Sequence, residues 1–375
     1  MTRSERTPLT VLHCAETIKG GVATYLRDLL PLQATAYGVQ AVQVLVPASQ
    51  RAELPDLPGV AIRTFNDSGS RLRKGWQLAF ETRRLVREAA PAVVHVHSTF
   101  AGLTVRPMLA LLPIRPAVVY CPHGWAFDRQ MGGLARHLAS LVERWLAPYA
   151  DSIVCISEHE MRAALRHGLP LRRLHLVRNG VSAARPPPVG PAPAWRSKGL
   201  RLLFVGRFDR QKGLDVLLAS LSMLGDEAQC AVAGMPVLGD DTAALPDSVL
   251  SLGWLGAGQI EAALDSADAL VVPSRWEGFG LVAAEAMRAG RAVIAARVGG
   301  LPEVVADGIT GVLFEPGSPQ ALVAAVRGTS RHDLAAMGQR GRLRFEQLFS
   351  MARVAAELDE VYRLSQQLPA RSAAG

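Results

Sequence analysis

The stretch SAARPPPVGPAPAWRSKG, residues 182–199, crowds prolines between two long segments of ordinary composition. Proline fixes φ and removes a backbone donor, so helix interior and central strand are both disfavoured there, and the segment reads as an interdomain linker. On each side, short apolar runs alternate with longer helical stretches, the pattern of parallel strands covered by helices. Before the linker the runs are Leu9 to His13, Val42 to Val46, Val93 to His97, Ala117 to Cys121 and Ile153 to Ile156. After it they are Leu202 to Val205, Cys230 to Ala233, Ala269 to Val272 and Val293 to Ala295. Two doubly wound α/β domains are expected, over residues 1–181 and 200–349. Ligands of such sheets bind at the carboxyl ends of the strands, so the loops after these runs are where chemistry belongs.

Length and composition agree with this division. At roughly 150 residues per domain, 375 residues make two or three domains. Hydrophobic residues at 49% and charged residues at 20% exclude a disordered chain. The best candidate for a membrane span, Leu103 to Tyr120, is interrupted by Arg106, Pro107, Pro113, Arg115 and Pro116. Met1 to Pro8 lacks an apolar core of signal-peptide length, so a cytoplasmic location is expected. Cys14, Cys121, Cys155 and Cys230 form no CxxC pair and no zinc-type cluster, and read as reduced thiols. Residues 1–180 hold 22 Lys and Arg against 13 Asp and Glu, whereas the remainder holds 19 against 20. A basic first half points to an anionic partner: a membrane surface, a phosphorylated substrate or nucleic acid.

Three loops carry candidate chemistry. Gly20 and Gly21 precede a helix with Tyr25, Leu26, Leu29 and Leu30 on its apolar side; the pair is either a tight turn or an anion site at a helix N-terminus. Arg207 and Lys212 follow the run ending at Val205. From composition alone they read first as a solvated basic loop, and they could also neutralise a diphosphate, one as a fork and one as a point charge. In PSRWEGFGLVAAEAMRAG, residues 273–290, Glu277 precedes Gly278, Phe279 and Gly280, and Glu285 lies a little over two helical turns further on. A carboxylate there suits paired hydroxyls such as those of a ribose, because it accepts two hydrogen bonds; the alternative is a helix N-terminal Glu with an incidental surface Glu.

In combination these motifs resemble family 4 of the retaining nucleotide-sugar glycosyltransferases, with the GT-B fold of two Rossmann-like domains facing a central cleft. The resemblance rests on Gly20–Gly21, Val205–Gly206–Arg207, Lys212–Gly213 and the Glu277-x7-Glu285 spacing. It rests also on His123–Gly124, Asn179–Gly180–Val181, Gly299–Gly300–Leu301–Pro302–Glu303 and Gly308 to Gly311. It implies that Arg207 and Lys212 hold the donor diphosphate, that Glu285 binds the ribose, and that Glu277 contacts the transferred sugar. The amides around Phe279, Gly280 and Leu281 complete the donor site with Gly20 and Gly21, and His123 reaches the sugar from the N-terminal, acceptor-binding domain. His95 and His97 match the family's HxH and shape the cleft. A final helix within 350–375, carrying Leu358, Val361 and Tyr362, is implied to cross back to the N-terminal domain. Ser182 replaces the family's Asp after Asn179–Gly180–Val181, and Gly234–Met235–Pro236 replaces a GxG; both departures bear on base and sugar preference.

Breaking a sugar–phosphate bond builds negative charge on the leaving diphosphate, so fixed cations there are the main catalytic demand. Arg207 and Lys212 supply them, no Asp-x-Asp occurs, and a metal-independent enzyme without cofactor is expected, using a UDP- or GDP-linked sugar. The resemblance implies front-face retaining transfer of a hexosyl unit to a lipid-linked or polysaccharide acceptor, in surface polysaccharide synthesis. A sugar-nucleotide epimerase of the same architecture and an idle scaffold of a polysaccharide-assembly complex are the competing readings. No nucleic-acid module is recognised. Winding residues 71–90 as a helix puts Arg73, Trp76, Phe80, Arg83, Arg84 and Arg87 on one arc. That mixture suits peripheral contact with an anionic inner leaflet, unless Trp76 and Phe80 are core.

Overall fold

The computed structural model describes residues 9–196, 198–236, 245–246 and 248–367, which leaves the ends of the first and last expected segments outside the described residues. The chain divides into two compact units, Met1–Asn179 with Met351–Gly375, and Gly180–Ser350.

In the first unit the order is β1 (Val11–Ala15), α1 (Gly21–Tyr37), β2 (Val42–Pro47), β3 (Val60–Phe65), α2 (Arg71–Ala89), β4 (Val93–His97) and α3 (Thr99–Ala110). There follow β5 (Ala117–Cys121), α4 (Gly133–Leu146), β6 (Ser152–Cys155), α5 (Glu158–Arg166) and β7 (Leu174–Leu176). Among the described residues the strands form one parallel sheet in the order β3-β2-β1-β4-β5-β6-β7. Side chains alternate across a strand, so each of these buried strands feeds two cores. Leu12, Cys14, Val94, Val96, Val118 and Tyr120 face α2 and α3 in one. The opposite face of β1 and β4 carries His13, His95 and His97, all fully buried.

The second unit runs β8 (Leu200–Val205), α6 (Leu214–Leu224), β9 (Ala228–Ala233), β10 (Leu250–Gly253), α7 (Ala257–Ser266), β11 (Ala269–Val272) and α8 (Leu281–Arg288). It continues with β12 (Ala292–Ala296), α9 (Leu301–Val304), β13 (Gly311–Phe314), α10 (Pro319–Arg327) and α11 (Arg331–Leu348). Its sheet is again parallel among the described residues, in the order β10-β9-β8-β11-β12-β13. The last helix, α12 (Met351–Gln367), belongs to the first unit, where Leu358, Val361 and Tyr362 are buried.

Two details differ from the reading of the sequence. The proline-rich segment lies on the second unit rather than hanging between the two: Arg185 pairs with Glu261 and Asp265 at 2.7 Å each, and the Val189 amide donates to the Gly258 carbonyl. Proline leaves carbonyls and neighbouring side chains free to make such contacts even where it prevents a helix. The four strands without a matching apolar run, β3, β7, β10 and β13, are the edges of the two sheets. With one neighbour each, most of their residues keep some exposure and need no continuous apolar text.

The cysteines are all buried and unpaired, and burial pushes each thiol upward, Cys14 to about 12. The least expected core feature is a buried ion pair, Arg106 Nη2 to Glu143 Oε2 at 2.7 Å, joining α3 to α4. Tyr120 donates to the other carboxylate oxygen at 2.9 Å, and the guanidinium stacks on the Tyr120 ring. Removing one partner of such a pair strands the other charge out of water. Glu143→Ala is therefore expected to lower the unfolding free energy by about 3–5 kcal/mol in urea titrations, whereas the double change Arg106→Met with Glu143→Leu recovers most of the loss.

Candidate functional site

In the second unit the loops after β8, β11 and β12 meet at the carboxyl edge of the sheet. Arg207 is exposed, with Nη2 3.0 Å from Asp209 Oδ2 and 3.3 Å from Gln211 Oε1. Lys212 Nζ lies 2.6 Å from Glu277 Oε2, an oxygen that also accepts from Ser274 Oγ at 3.3 Å. The two loops are tied by backbone: the Arg275 amide donates to the Gln211 carbonyl at 2.8 Å, and Gln211 Nε2 donates to the Trp276 carbonyl at 3.2 Å. Arg275 clamps Asp215 at the start of α6 through two bonds of 2.7 and 2.6 Å, and this contact holds the Asp215 carboxyl below its ordinary range.

Glycine makes the approach possible. A Cβ on Gly299, which sits at φ +55°, would lie 1.7 Å from the Glu277 carbonyl oxygen, and the next amide, of Gly300, donates to that same oxygen at 3.0 Å. Glu277 is thus fixed at its backbone by the β12 loop and at its side chain by Lys212. Phe279 is buried with its ring 5.6 Å from that of Phe349, Gly280 caps α8 in the left-handed region, and Leu281 opens the helix. Glu285 stands in the second turn of α8, partly exposed. The structure therefore brings Arg207, Lys212, Glu277, Phe279, Gly280, Leu281 and Glu285 to one edge of one sheet. In the departing Gly234–Met235–Pro236 segment, the Met235 carbonyl accepts from the Phe208 amide at 3.0 Å, so that segment borders the loop of Arg207.

Gly20, Gly21 and His123 belong to the first unit. Gly20, at φ +73°, is the N-cap of α1, and both glycines are exposed. His123 follows β5 in the left-handed region at φ 52°, where a non-glycine residue is strained and needs support from its surroundings. That support comes from the Tyr25 ring of α1, edge-on at 4.9 Å, and from His97 Nδ1, 2.9 Å from His123 Nε2. Burial drives the His123 imidazole down to about 4, so the ring is neutral at pH 7.

Behind His123 lies a group that the sequence reading did not assemble: His13, His95, His97, Gln33 of α1 and Tyr362 of α12. His95 and His97 share a face of β4 by the two-residue period, and His13 pairs in register with His95 across the β1–β4 ladder. The period was visible in the sequence; the adjacency of β1 to β4 and the docking of Tyr362 were not. Helix α4 supplies a second feature not read beforehand. It buries Ser140, Glu143 and Leu146 but exposes Leu134, Leu138, Leu141, Val142 and Trp145 along one side.

Comparison with known proteins agrees with this architecture. Residues 191–343 match the family model described as glycosyl transferases group 1, and residues 20–180 match the glycosyl transferase 4-like domain. An uncharacterized 41.2 kDa protein in the cps region of Klebsiella pneumoniae is 32% identical over 320 residues, covering 81% of this chain and 86% of that protein. Sucrose-phosphate synthase of Thermosynechococcus elongatus superposes with a TM-score of 0.82 at 21% identity, over 94% of this chain and 98% of that one. Anabaena HepE in complex with UDP-glucose gives 0.77 at 18% identity, over 95% and 99%. The fold is GT-B. The chain belongs to the group 1 glycosyltransferases and is a glycosyltransferase.

The close approach at Gly299 gives a direct check on how the site is built. Gly299→Ala combines a left-handed backbone with a clash against the Glu277 carbonyl, so a loss of at least about 1–2 kcal/mol is expected in chemical denaturation. Gly317→Ala, also at positive φ but with open space around it, is expected to show only the smaller backbone penalty.

Proposed function

We propose that this glycosyltransferase moves a hexosyl unit, with retention of configuration, from a UDP- or GDP-linked donor to a lipid-linked or polysaccharide acceptor. The observation that carries the reading is the Lys212–Glu277 pair at the carboxyl edge of the second sheet, in loops that also carry Arg207 and lead into the helix of Glu285. Glu285 takes the ribose hydroxyls, and Arg207 and Lys212 take the diphosphate, where cations lower the barrier to leaving-group departure. On the second unit Glu277 contacts the transferred sugar and the amides around Phe279, Gly280 and Leu281 complete the donor loop; on the first unit His123 is the sugar contact, with Gly20 and Gly21 at the start of α1. HepE, a protein of the same fold, is named as a complex with UDP-glucose, which supports a nucleotide-sugar donor. The Klebsiella pneumoniae relative lies in the cps region, which supports a role in surface polysaccharide synthesis. The reading needs neither a divalent metal nor a cofactor.

Peripheral contact with an anionic membrane is part of the proposal. Trp76 and Phe80 on α2 are 49% and 60% exposed, and the buried side of that helix is Gly75, Leu78, Ala79, Thr82, Leu85 and Val86. They are not core residues. Arg84 is held between Glu81 and Glu88, so Arg73 and Arg87 carry more of the uncompensated charge. Helix α4, which reaches α2 through α3, adds an exposed apolar side of Leu134, Leu138, Leu141, Val142 and Trp145. Exposed aromatic and aliphatic side chains bordered by arginine suit the headgroup layer, at about 1 kcal/mol per cation near the surface. No described helix is long and apolar enough to cross a membrane.

Glu285→Ala is expected to weaken nucleotide affinity by about 1–3 kcal/mol in calorimetry while the fold persists. Glu277→Gln is expected to separate binding from chemistry: it releases the Lys212 ammonium, so a nucleoside diphosphate binds at least as tightly as to the wild type while turnover falls. NMR of the first-formed product should show the donor's anomeric configuration, in excess EDTA as in its absence; an inverted product would refute retention. Co-sedimentation should require anionic vesicles, decline with salt, and drop for the pair Leu138→Ser with Trp145→Ser, whose side chains are exposed; unchanged pelleting by that pair would remove α4 from the contact.

A further inference from the structure

On the face of β1 and β4 turned toward α1 and α12, hydrogen bonds run in an unbroken series. Tyr362 Oη lies 2.7 Å from His95 Nδ1 and 3.2 Å from Gln33 Nε2. Gln33 Oε1 lies 2.7 Å from His13 Nε2, His13 Nδ1 lies 2.9 Å from His97 Nε2, and His97 Nδ1 lies 2.9 Å from His123 Nε2. His13, His95, His97 and Tyr362 have no exposure and Gln33 has 1%; of the four imidazoles only that of His123 is partly exposed. Burial lowers all four imidazoles, so each is neutral and carries one N–H and one bare nitrogen.

With one proton per ring, the series has a single polarity once Gln33 is oriented. An amide oxygen only accepts, so His13 carries its proton on Nε2 and presents a bare Nδ1. His97 must then donate from Nε2, and His123 must donate from Nε2 to the bare Nδ1 of His97. On the other branch Gln33 donates to Tyr362, whose hydroxyl proton goes to His95. The distances fit this direction. The 3.2 Å gap between Gln33 and Tyr362 lies within the range of an N–H donor and beyond that of an O–H donor, while 2.7 Å to His95 suits a donating hydroxyl. Turning the amide over would reverse every bond and put the proton of His123 on Nδ1.

We infer that Gln33, seated against Tyr362, fixes the tautomer of His123 through His13 and His97, leaving His123 Nδ1 as a bare acceptor for a hydroxyl of the reacting sugar. Gln33, Tyr362, His13 and His97 are positioning residues, and the use of the acceptor rests on the reading of His123 as a sugar contact. The same rings resemble a metal site, since nitrogens of His13, His95 and His97 all lie within 4.8 Å of one another. A metal held by all three rings would have to break either the His13–His97 bond or both the His13–Gln33 and His97–His123 bonds, because His95 Nε2 is the only one of their six nitrogens without a hydrogen-bond partner.

The test is a long-range proton–nitrogen correlation spectrum of the full chain labelled at histidine nitrogen, without donor, assigned by single substitutions. Protonated Nε2 and bare Nδ1 are expected at His13, His95, His97 and His123, unchanged by added zinc. Gln33→Leu should leave His123 as a mixture of tautomers, and Gln33→Glu, whose carboxylate still accepts from His13, should keep the wild-type form. In transfer assays Gln33→Leu is expected to lower kcat by about 10- to 100-fold, the usual loss when a partner orienting a functional imidazole is removed, with a smaller change in donor KM. Gln33→Glu should restore most of that turnover. A proton on His123 Nδ1 in the wild type, a Gln33→Leu spectrum identical to the wild type, or a zinc-induced shift of His13 and His97 would each overturn the inference. Because the spectra need no donor, absence of transferase activity would overturn the functional reading and leave the tautomer result to be judged by itself.

Discussion

Parallel strands impose the constraint on which the rest of this molecule depends. A strand that must lie beside the previous one in the same direction can be reached only by a crossover, so every loop that follows a strand emerges at the same edge of the sheet. Lys212 and Glu277, in loops after the neighbouring strands β8 and β11, come within hydrogen-bond reach by that rule together with the strand order, and His13 and His97 meet because β1 lies beside β4. The sheets satisfy their backbone polar groups internally, and the edge loops are left with the chemistry. Glycines at the crossing points then decide how close the loops come, as at Gly299 beneath Glu277.

The two edges use opposite electrostatics. In the second unit the groups are formally charged and partly exposed: Lys212 against Glu277, Arg207 against Asp209, Arg275 against Asp215. Such pairs exchange partners readily when a ligand with stronger charge arrives, because part of their field is already screened by water. In the first unit the histidine group behind and including His123 is buried and neutral. A charged imidazole there would lose its hydration without a carboxylate to compensate, so protons are ordered along hydrogen bonds instead of being gained or lost.

Helix α4 shows how a local conflict in the sequence can be resolved by the fold. Its inward side carries Glu143, which would be intolerable in a core without Arg106 and Tyr120, and its outward side carries leucines and a tryptophan that an isolated helix would bury. The polar inward contact holds the helix in place, so that the apolar side remains outside. Arg106 Nε and Nη2 are bonded and Nη1 is buried without a partner, so the polar contact on the inward side is strong but not fully satisfied.

The sequence by itself determined the α/β class, two doubly wound units, and most of the central strands, since a strand buried on both faces must be written as a continuous apolar run. It also placed Arg207, Lys212 and Glu277 in the loops beyond such runs and Glu285 on the helix after one of them, while their suggested roles came from the family resemblance. The edge strands β3, β7, β10 and β13 escaped, for an edge is buried on fewer sides and carries a weaker pattern. Tertiary structure alone decided that the proline-rich segment packs on the second unit, that Trp76 and Phe80 face outward, and that α4 is turned with its leucines to the surface. It alone joined Gln33, His13, His97, His123 and Tyr362, residues spread from the first helix to the last. Periodicity reports which face a residue occupies, but strand order and helix docking, which are set by long-range packing, report what that face meets.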